Sequence, residues 1–245
     1  MGPSGGRPEI GGKAIALVLA GGTGSRMGRP KQFIELHGVP ALQHTLLAFE
    51  GAPEIAGIYA VGDGLRIEAI AQAAGITKYA SCAEPGEVRS FSTRNGLLLC
   101  EEGPETIVLV HDGSRCLVTP GLIGRVIRAA IRDSKLDGVV PGVPVSDTIK
   151  VARDGTVVET LDRTNLRAIQ TPQAFRLGLL RRLHDSPEES LRTATDDASL
   201  VEREGGRVEI VAGEKTNIKL TSPEDLVFAE AILAAREGAA REALH

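Results

Sequence analysis

The stretch "LVLAGGTGSRMGRPKQF", residues 17–33, joins an apolar run to a cluster of glycines and cations. Gly21, Gly22 and Gly24 let a chain turn tightly and bring backbone N–H groups against an anion; Arg26 and Lys31 add full positive charges. The chemistry that suits this grouping is the binding of a nucleotide's polyphosphate. Spacing excludes two common versions. A Walker A loop needs G-x-x-x-x-G-K-[ST], which is absent, and a dinucleotide fingerprint needs a glycine where Met27 stands.

Two further polar clusters stand out. "HDGSRC" carries His111, Asp112 and Arg115 straight after the apolar run "TIVLV", and "NIKL" carries Lys219. On its own, Asp112 reads equally as a loop or capping aspartate and as a ligand at a strand end. Lys219 on its own reads first as a solvated lysine. His111 has no His or Cys partner at ligand spacing and reads as structural. Asp196 and Asp197 in "TDDASLVE" read as a helix cap and its neighbour, not as metal ligands.

These residues need elements to position them. Continuous apolar runs at 14–20 ("AIALVLA"), 55–62 and 106–115 read as strands buried on both faces, and "DGVVPGVP" (137–144) as a shorter one. Between them, helical spacing of apolar residues predicts helices over 41–51, 65–75, 92–102 and 120–134. The alternation predicts an α/β fold: a Rossmann-like, doubly wound, mostly parallel sheet with helices on both faces. In such sheets ligands sit beyond the C-terminal strand ends, where "GGTGSR" and "HDGSR" both fall. The rhythm breaks at 145–167, where "TIKV" and "TVVET" flank "ARDG", a hairpin with Asp-Gly in its turn. Helices over "RLGLLRRLHDS", "TDDASLVEREG" and "SPEDLVFAEAILAAREG", and a strand at "RVEIVAG", complete the chain. Residues 1–13, rich in Gly and Pro, are expected to form a disordered lead-in without a signal peptide's apolar core, and 14–245 a single domain with an inserted arm.

Composition narrows the partners. The chain has 245 residues, 42% hydrophobic and 24% charged, ordinary for a protein that buries a full core. Aromatics make up 3%, with no Trp, which argues against stacking platforms for single-stranded nucleic acid. A net charge of −4 without a basic block argues against a nucleic-acid partner, and no apolar run reaches membrane-spanning length. Cys82, Cys100 and Cys116 are odd in number and lack CxxC spacing, as expected of thiols in a reducing cytoplasm.

Taken in order, "LAGGTGSRMGRPKQF", "VHDGSRC", "PVSDTIK", "TLDRTNLRAIQTPQAF", "TDDASLVE" and "NIKLTSPEDL" resemble the motifs of the 2-C-methyl-D-erythritol 4-phosphate cytidylyltransferases of non-mevalonate isoprenoid synthesis. The resemblance runs from about residue 14 to 237. It implies transfer of a cytidylyl group from CTP to methylerythritol 4-phosphate, giving 4-diphosphocytidyl-2-C-methyl-D-erythritol and pyrophosphate, with Mg²⁺ as cofactor. It also implies that Arg26, Lys31 and Lys219 surround the triphosphate, and that backbone groups of Ala20 and Gly21 face the cytidine. Gly86, Glu87 and Ser92 would read the base, and Asp112 would lie near the ribose and a metal. Asp147, Thr148 and Arg163, on or beside the arm, would bind the acceptor, with Arg115 and Thr171 on its side or one layer behind. The arm would cross to a second subunit, giving a homodimer. The sequence departs from the family pattern at Cys116, which stands in place of a proline, and at Pro85, in place of the first of two glycines. A cytidylyltransferase for another polyol phosphate, such as ribitol 5-phosphate, is the competing reading.

Overall fold

A computed structural model of the chain describes residues 14–22 and 30–242. The expected lead-in at 1–13, and Gly24 and Arg26, lie outside the described residues.

Strand β1 (Ala14–Leu19) runs through the middle of the sheet. Its side chains alternate: Ala14, Ala16 and Val18 enter one core layer, Ile15 and Leu17 the other. That is why the run has no polar member. After it come the short strands β2 (Glu35–Leu36) and β3 (Val39–Pro40), helix α1 (Ala41–Glu50), and β4 (Ile55–Val61). Helix α2 (Gly64–Ala73) is capped by Asp63, whose carboxylate accepts from the Arg66 N–H. Next are β5 (Tyr79–Ala83), α3 (Arg89–Leu97) and β6 (Ile107–Asp112). Helix α4 (Pro120–Arg132) starts with Thr119 as cap and proline in its first turn. The sheet continues with β7 (Gly138–Pro144); β8 (Lys150–Arg153) and β9 (Thr156–Thr160) form the hairpin arm. The chain returns through β10 (Arg167–Ile169) and β11 (Gln173–Arg176) to α5 (Leu177–His184), α6 (Glu188–Arg192), α7 (Asp197–Arg203), β12 (Val208–Ala212) and α8 (Pro223–Glu242).

The main sheet has eight strands in the path β10-β7-β11-β6-β1-β4-β5, with β12 paired to β7. The β1–β4, β1–β6, β4–β5 and β12–β7 pairs are parallel, and β11 runs antiparallel between β6 and β7. One face packs on α1, α2 and α4, the other on α3, α5 and α7. The arm's turn has Asp154 at φ 49° and Gly155 at φ 76°, the left-handed pair that an Asp-Gly hairpin turn requires.

The helix expected at 92–102 lies at Arg89–Leu97 instead. Its middle lies close on the sheet: a Cβ on Gly96 would meet Leu17 Cδ1 and stand 2.8 Å from Val61 Cγ2. The helix therefore runs over Gly96 and stops before the exposed Leu98. Strand β5 is not anticipated by the sequence, because "YASCA" is half-buried and shows no alternation.

Candidate active site

The glycine turn leaves β1 with its first residue already committed. Ala20 donates its N–H to Val61 O at 2.7 Å, and its carbonyl accepts from Gln32 Nε2 at 2.5 Å. Both backbone groups of Ala20 thus take part in the fold. The same Gln32 amide reaches Gly22 O at 3.0 Å, tying the turn to the helical turn Lys31–Phe33. Gly21 abuts the next loop: a Cβ there would collide with Pro85 Cβ.

That next loop is built on Ser92. Its hydroxyl accepts from the Gly86 N–H at 3.0 Å and donates to Val88 O at 3.2 Å, clamping residues 86–88 over the start of α3. Glu87 points outward into a two-pronged pair with Arg192, at 2.9 and 2.7 Å. Arg192 in turn stacks on Phe91, 4.9 Å from its ring centre.

Asp112 closes β6 between two cations. Lys219 Nζ lies 2.7 Å from Oδ2 and Arg89 Nε 3.1 Å from Oδ1. Burial alone would raise the Asp112 pKa, but Arg89 and Lys219 outweigh it and hold the carboxyl well below the usual range. Arg89 is the first residue of α3, where the helix dipole repels a cation. Its charge is kept there by two carboxylates, Asp112 and, at 2.6 Å from Nη1, Asp197.

Behind Asp112 runs a directed chain of hydrogen bonds. The Asp112 N–H donates to Thr171 Oγ1 at 3.0 Å, and Thr171 bonds His111 Nδ1 at 3.1 Å. His111 Nε2 faces Arg115 O at 3.2 Å and must donate to it, which in a neutral ring leaves Nδ1 as the acceptor. Burial lowers the His111 pKa to about 4. Arg115 reaches Asn217 O at 2.9 Å and Ile169 O at 3.3 Å, and Asn217 Nδ2 donates to Thr171 O at 2.9 Å. Leu220 N donates to Ser114 O at 2.9 Å. These bonds bind the segment 217–220 to the end of β6 and deliver Lys219 from a distant part of the chain.

The result is a cleft of about 390 Å³ at the C-terminal ends of β1 and β6. Of the residues expected there, Gly21, Gly22, Lys31, Gly86, Glu87, Ser92, Asp112 and Lys219 line it together. Thr171 does not: it is buried, with its hydroxyl between Asp112 and His111, one layer behind the cleft lining. Asp147, Thr148 and Arg163 are exposed on the arm and contribute nothing to this chain's own cleft. Arg163 donates to Ser146 O, closing the base of the arm. Asp196 caps α7 and Asp197 is buried beneath the cleft. Sequence reasoning missed Gln32 and Arg89. No local signal marks Arg89: the sequence pattern starts the helix at 92, and the carboxylates it meets lie far along the chain at Asp112 and Asp197.

The sequence profile of the IspD family, 2-C-methyl-D-erythritol 4-phosphate cytidylyltransferase, matches residues 14–235. This chain belongs to that family. A 2-C-methyl-D-erythritol 4-phosphate cytidylyltransferase of Rubrobacter xylanophilus is 67% identical over 224 residues, covering 91% of this chain and 96% of the relative. One from Pelotomaculum thermopropionicum is 42% identical over 240 residues, covering 94% and 98%. Among solved structures, the 2-C-methyl-D-erythritol 4-phosphate cytidylyltransferase from Thermus thermophilus superposes with a TM-score of 0.72 at 31% identity, covering 90% of this chain and 99% of that one. The 4-diphosphocytidyl-2C-methyl-D-erythritol synthase from Anaerococcus prevotii gives 0.76 at 30% identity, covering 92% and 98%. As an IspD-family member, the chain carries its cleft on a doubly wound α/β sheet.

Proposed function

We propose that this chain transfers the cytidylyl group of CTP to 2-C-methyl-D-erythritol 4-phosphate in the cleft between β1 and β6. An oxygen of the acceptor phosphate bonds to the α-phosphorus of CTP, the bond from that phosphorus to the bridging oxygen breaks, and pyrophosphate leaves with the electron pair. The observation that carries the reading is the grouping of Lys31, Arg89 and Lys219 around a glycine turn at the strand ends. A phosphate monoester has a second pKa of about 6 and is largely dianionic at neutral pH, so no general base is required. What the site must supply is positive charge where two anions meet, and preorganised cations do that without reorganising. Lys31 and Lys219 take this role; Arg26 joins them from the sequence alone.

A divalent cation is part of the same proposal. Among the described residues no group of three or more His, Cys, Asp or Glu side chains could hold a metal. Mg²⁺ is commonly held by one or two carboxylates together with substrate phosphates, a donor set that Asp112 and a triphosphate fit. The cation would neutralise charge between the phosphates.

We further propose a homodimer in which each arm serves the other subunit's cleft. Asp147, Thr148 and Arg163 stand outside their own chain's cleft, and β9 is exposed along its length, with Val157 and Val158 at 55% and 52%. A cytoplasmic protein with a single domain at 14–245 completes the proposal, and it fits three free cysteines, two of them buried. No helix among the described residues is long and apolar enough to cross a membrane.

The test is pyrophosphate release with Mg²⁺, each of the four nucleoside triphosphates being paired with methylerythritol 4-phosphate and with ribitol 5-phosphate. Release confined to CTP and methylerythritol 4-phosphate, abolished by EDTA and lost in Lys31→Ala, is expected. Release with ribitol 5-phosphate alone would move the protein to another acceptor.

A further inference from the structure

His184 and Asp197 are each 1% exposed and lie below the cleft, not in it. They are the inner end of an unbroken run of charged hydrogen bonds. His184 Nε2 donates to Asp197 Oδ1 at 3.0 Å, and Asp197 Oδ2 accepts from Arg89 Nη1 at 2.6 Å. Arg89 Nε donates to Asp112 Oδ1 at 3.1 Å, and Asp112 Oδ2 accepts from Lys219 Nζ at 2.7 Å. The first turn of α7, which carries Asp197, is itself anchored to β11: Gln173 donates to Asp196 Oδ2 at 2.6 Å and accepts from the Ala198 N–H at 3.3 Å.

A capping role does not account for this carboxylate. Asp196 already caps α7, so Asp197 is free to turn inward. It meets a guanidinium held at the wrong end of another helix, between two carboxylates of which only Asp112 reaches the cleft. A planar fork with two partners has its direction fixed. With Asp112 alone, the fork could swing toward an incoming triphosphate, and the Asp112 carboxylate would lose the donor that sets its angle. With Asp197 beneath it, Arg89 keeps Nε on Asp112 and leaves the other oxygen for Lys219.

The geometry points to Asp197 as a positioning residue for the cytidylyl transfer: acting through Arg89, it fixes the carboxylate of Asp112 and the ammonium of Lys219 at the strand end. The inference rests on the reaction proposed above, and wild-type turnover in the same assay tests that reaction separately. Misplacement of catalytic groups by about 1 Å can cost on the order of 100-fold. Asp197→Asn and Arg89→Lys are each expected to lower kcat ten- to a hundredfold per folded molecule, with KM for CTP and for the acceptor within about threefold of wild type. Arg89→Lys keeps the charge, but an ammonium lacks the fork that faces two carboxylates at once, and it remains informative if Asp197→Asn does not fold. The deciding measurement is the double variant. Residues acting as one unit are non-additive, so Arg89→Lys/Asp197→Asn is expected to be no slower than Arg89→Lys alone. A double variant whose loss is the product of the single losses, or an Arg89→Lys enzyme with wild-type kcat, would overturn the assignment.

Discussion

Thr171 stands directly behind Asp112: its hydroxyl accepts the Asp112 N–H at 3.0 Å and donates to the neutral ring of His111 at 3.1 Å. One hydroxyl thus fixes the backbone of the cleft's buried carboxylate and the tautomer of the histidine beside it. Thr171→Val fills the same space and removes both bonds. A buried group left without its partner costs about 1–3 kcal/mol. The variant is expected to lose at least about 2 kcal/mol of stability in urea unfolding, whereas Thr171→Ser stays near wild type. A valine variant as stable as wild type would show that the chain of bonds behind Asp112 carries no weight.

Stability should fall on the acid side of neutrality because of His111. Its folded pKa is about 4, against 6.5 for the exposed side chain. Above pH 6.5 both states are neutral and the full stability is present. Between 6.5 and 4 the unfolded chain binds a proton that the folded chain refuses, so stability drops by an amount on the order of 3 kcal/mol. Asp112 and Asp197, both held below the usual carboxylate range, contribute stability that is lost only at lower pH, as it falls through their folded values. His37, whose pKa is raised by its hydrogen bond to Glu237, acts in the opposite sense, but it lies on the surface. Urea midpoints at about pH 7.5, 6 and 5 check the sign; a flat profile would mean that His111 is not buried and neutral.

Gly21 marks where the glycine turn after β1 touches the loop before α3. A methyl group there would collide with Pro85 Cβ, and a proline ring cannot rotate away. Gly21→Ala must push the two loops apart. Overpacking of this kind costs about 1–3 kcal/mol, and because the strain sits at the cleft, KM for CTP is expected to rise about tenfold, equivalent to about 1.4 kcal/mol. Steady-state kinetics set beside a thermal melt separate the two effects; an unchanged KM would show that the loops do not jointly hold the nucleotide.

If each arm serves the neighbouring cleft, two dead proteins can make a live one. Lys219→Ala disables the cleft and Arg163→Ala disables the arm, each lowering kcat by about 100-fold or more. A mixture refolded together should regain roughly a quarter of wild-type activity, because random pairing puts half the chains in mixed dimers and each mixed dimer has one intact site. No recovery in the mixture, with dimers present by light scattering, would assign Arg163 to its own subunit's chemistry or to none.

The parts legible in the sequence are those with local causes. Unbroken apolar runs mark β1 and β6, because a strand covered on both faces admits few polar side chains. Asp154-Gly155 marks the arm's turn because the backbone needs two left-handed residues there. The glycines and Lys31 suggest an anion-binding turn by residue type alone, and the fold brings Gly21, Gly22 and Lys31 to one cleft. What stayed hidden depends on distant partners. Arg89 and Asp197 are 108 residues apart, and nothing near either one names the other. Gln32 reads as an ordinary polar residue until the fold sets its amide against Ala20 and Gly22. Thr171 reads from its motif as either a substrate-side or a second-layer residue, and only the fold sets its hydroxyl between Asp112 and His111.

The arm leaves the sheet after β7 and returns as β10, and Arg167 lies opposite Pro144 in the register of those two strands. Both ends of the excursion are therefore pinned side by side on the scaffold. Residues 145–166 form a cassette: they can be lengthened, shortened or exchanged without altering a single rung of the main sheet. A lineage can thus vary its arm while keeping the residues that line the cleft in place, and a protein engineer can do the same.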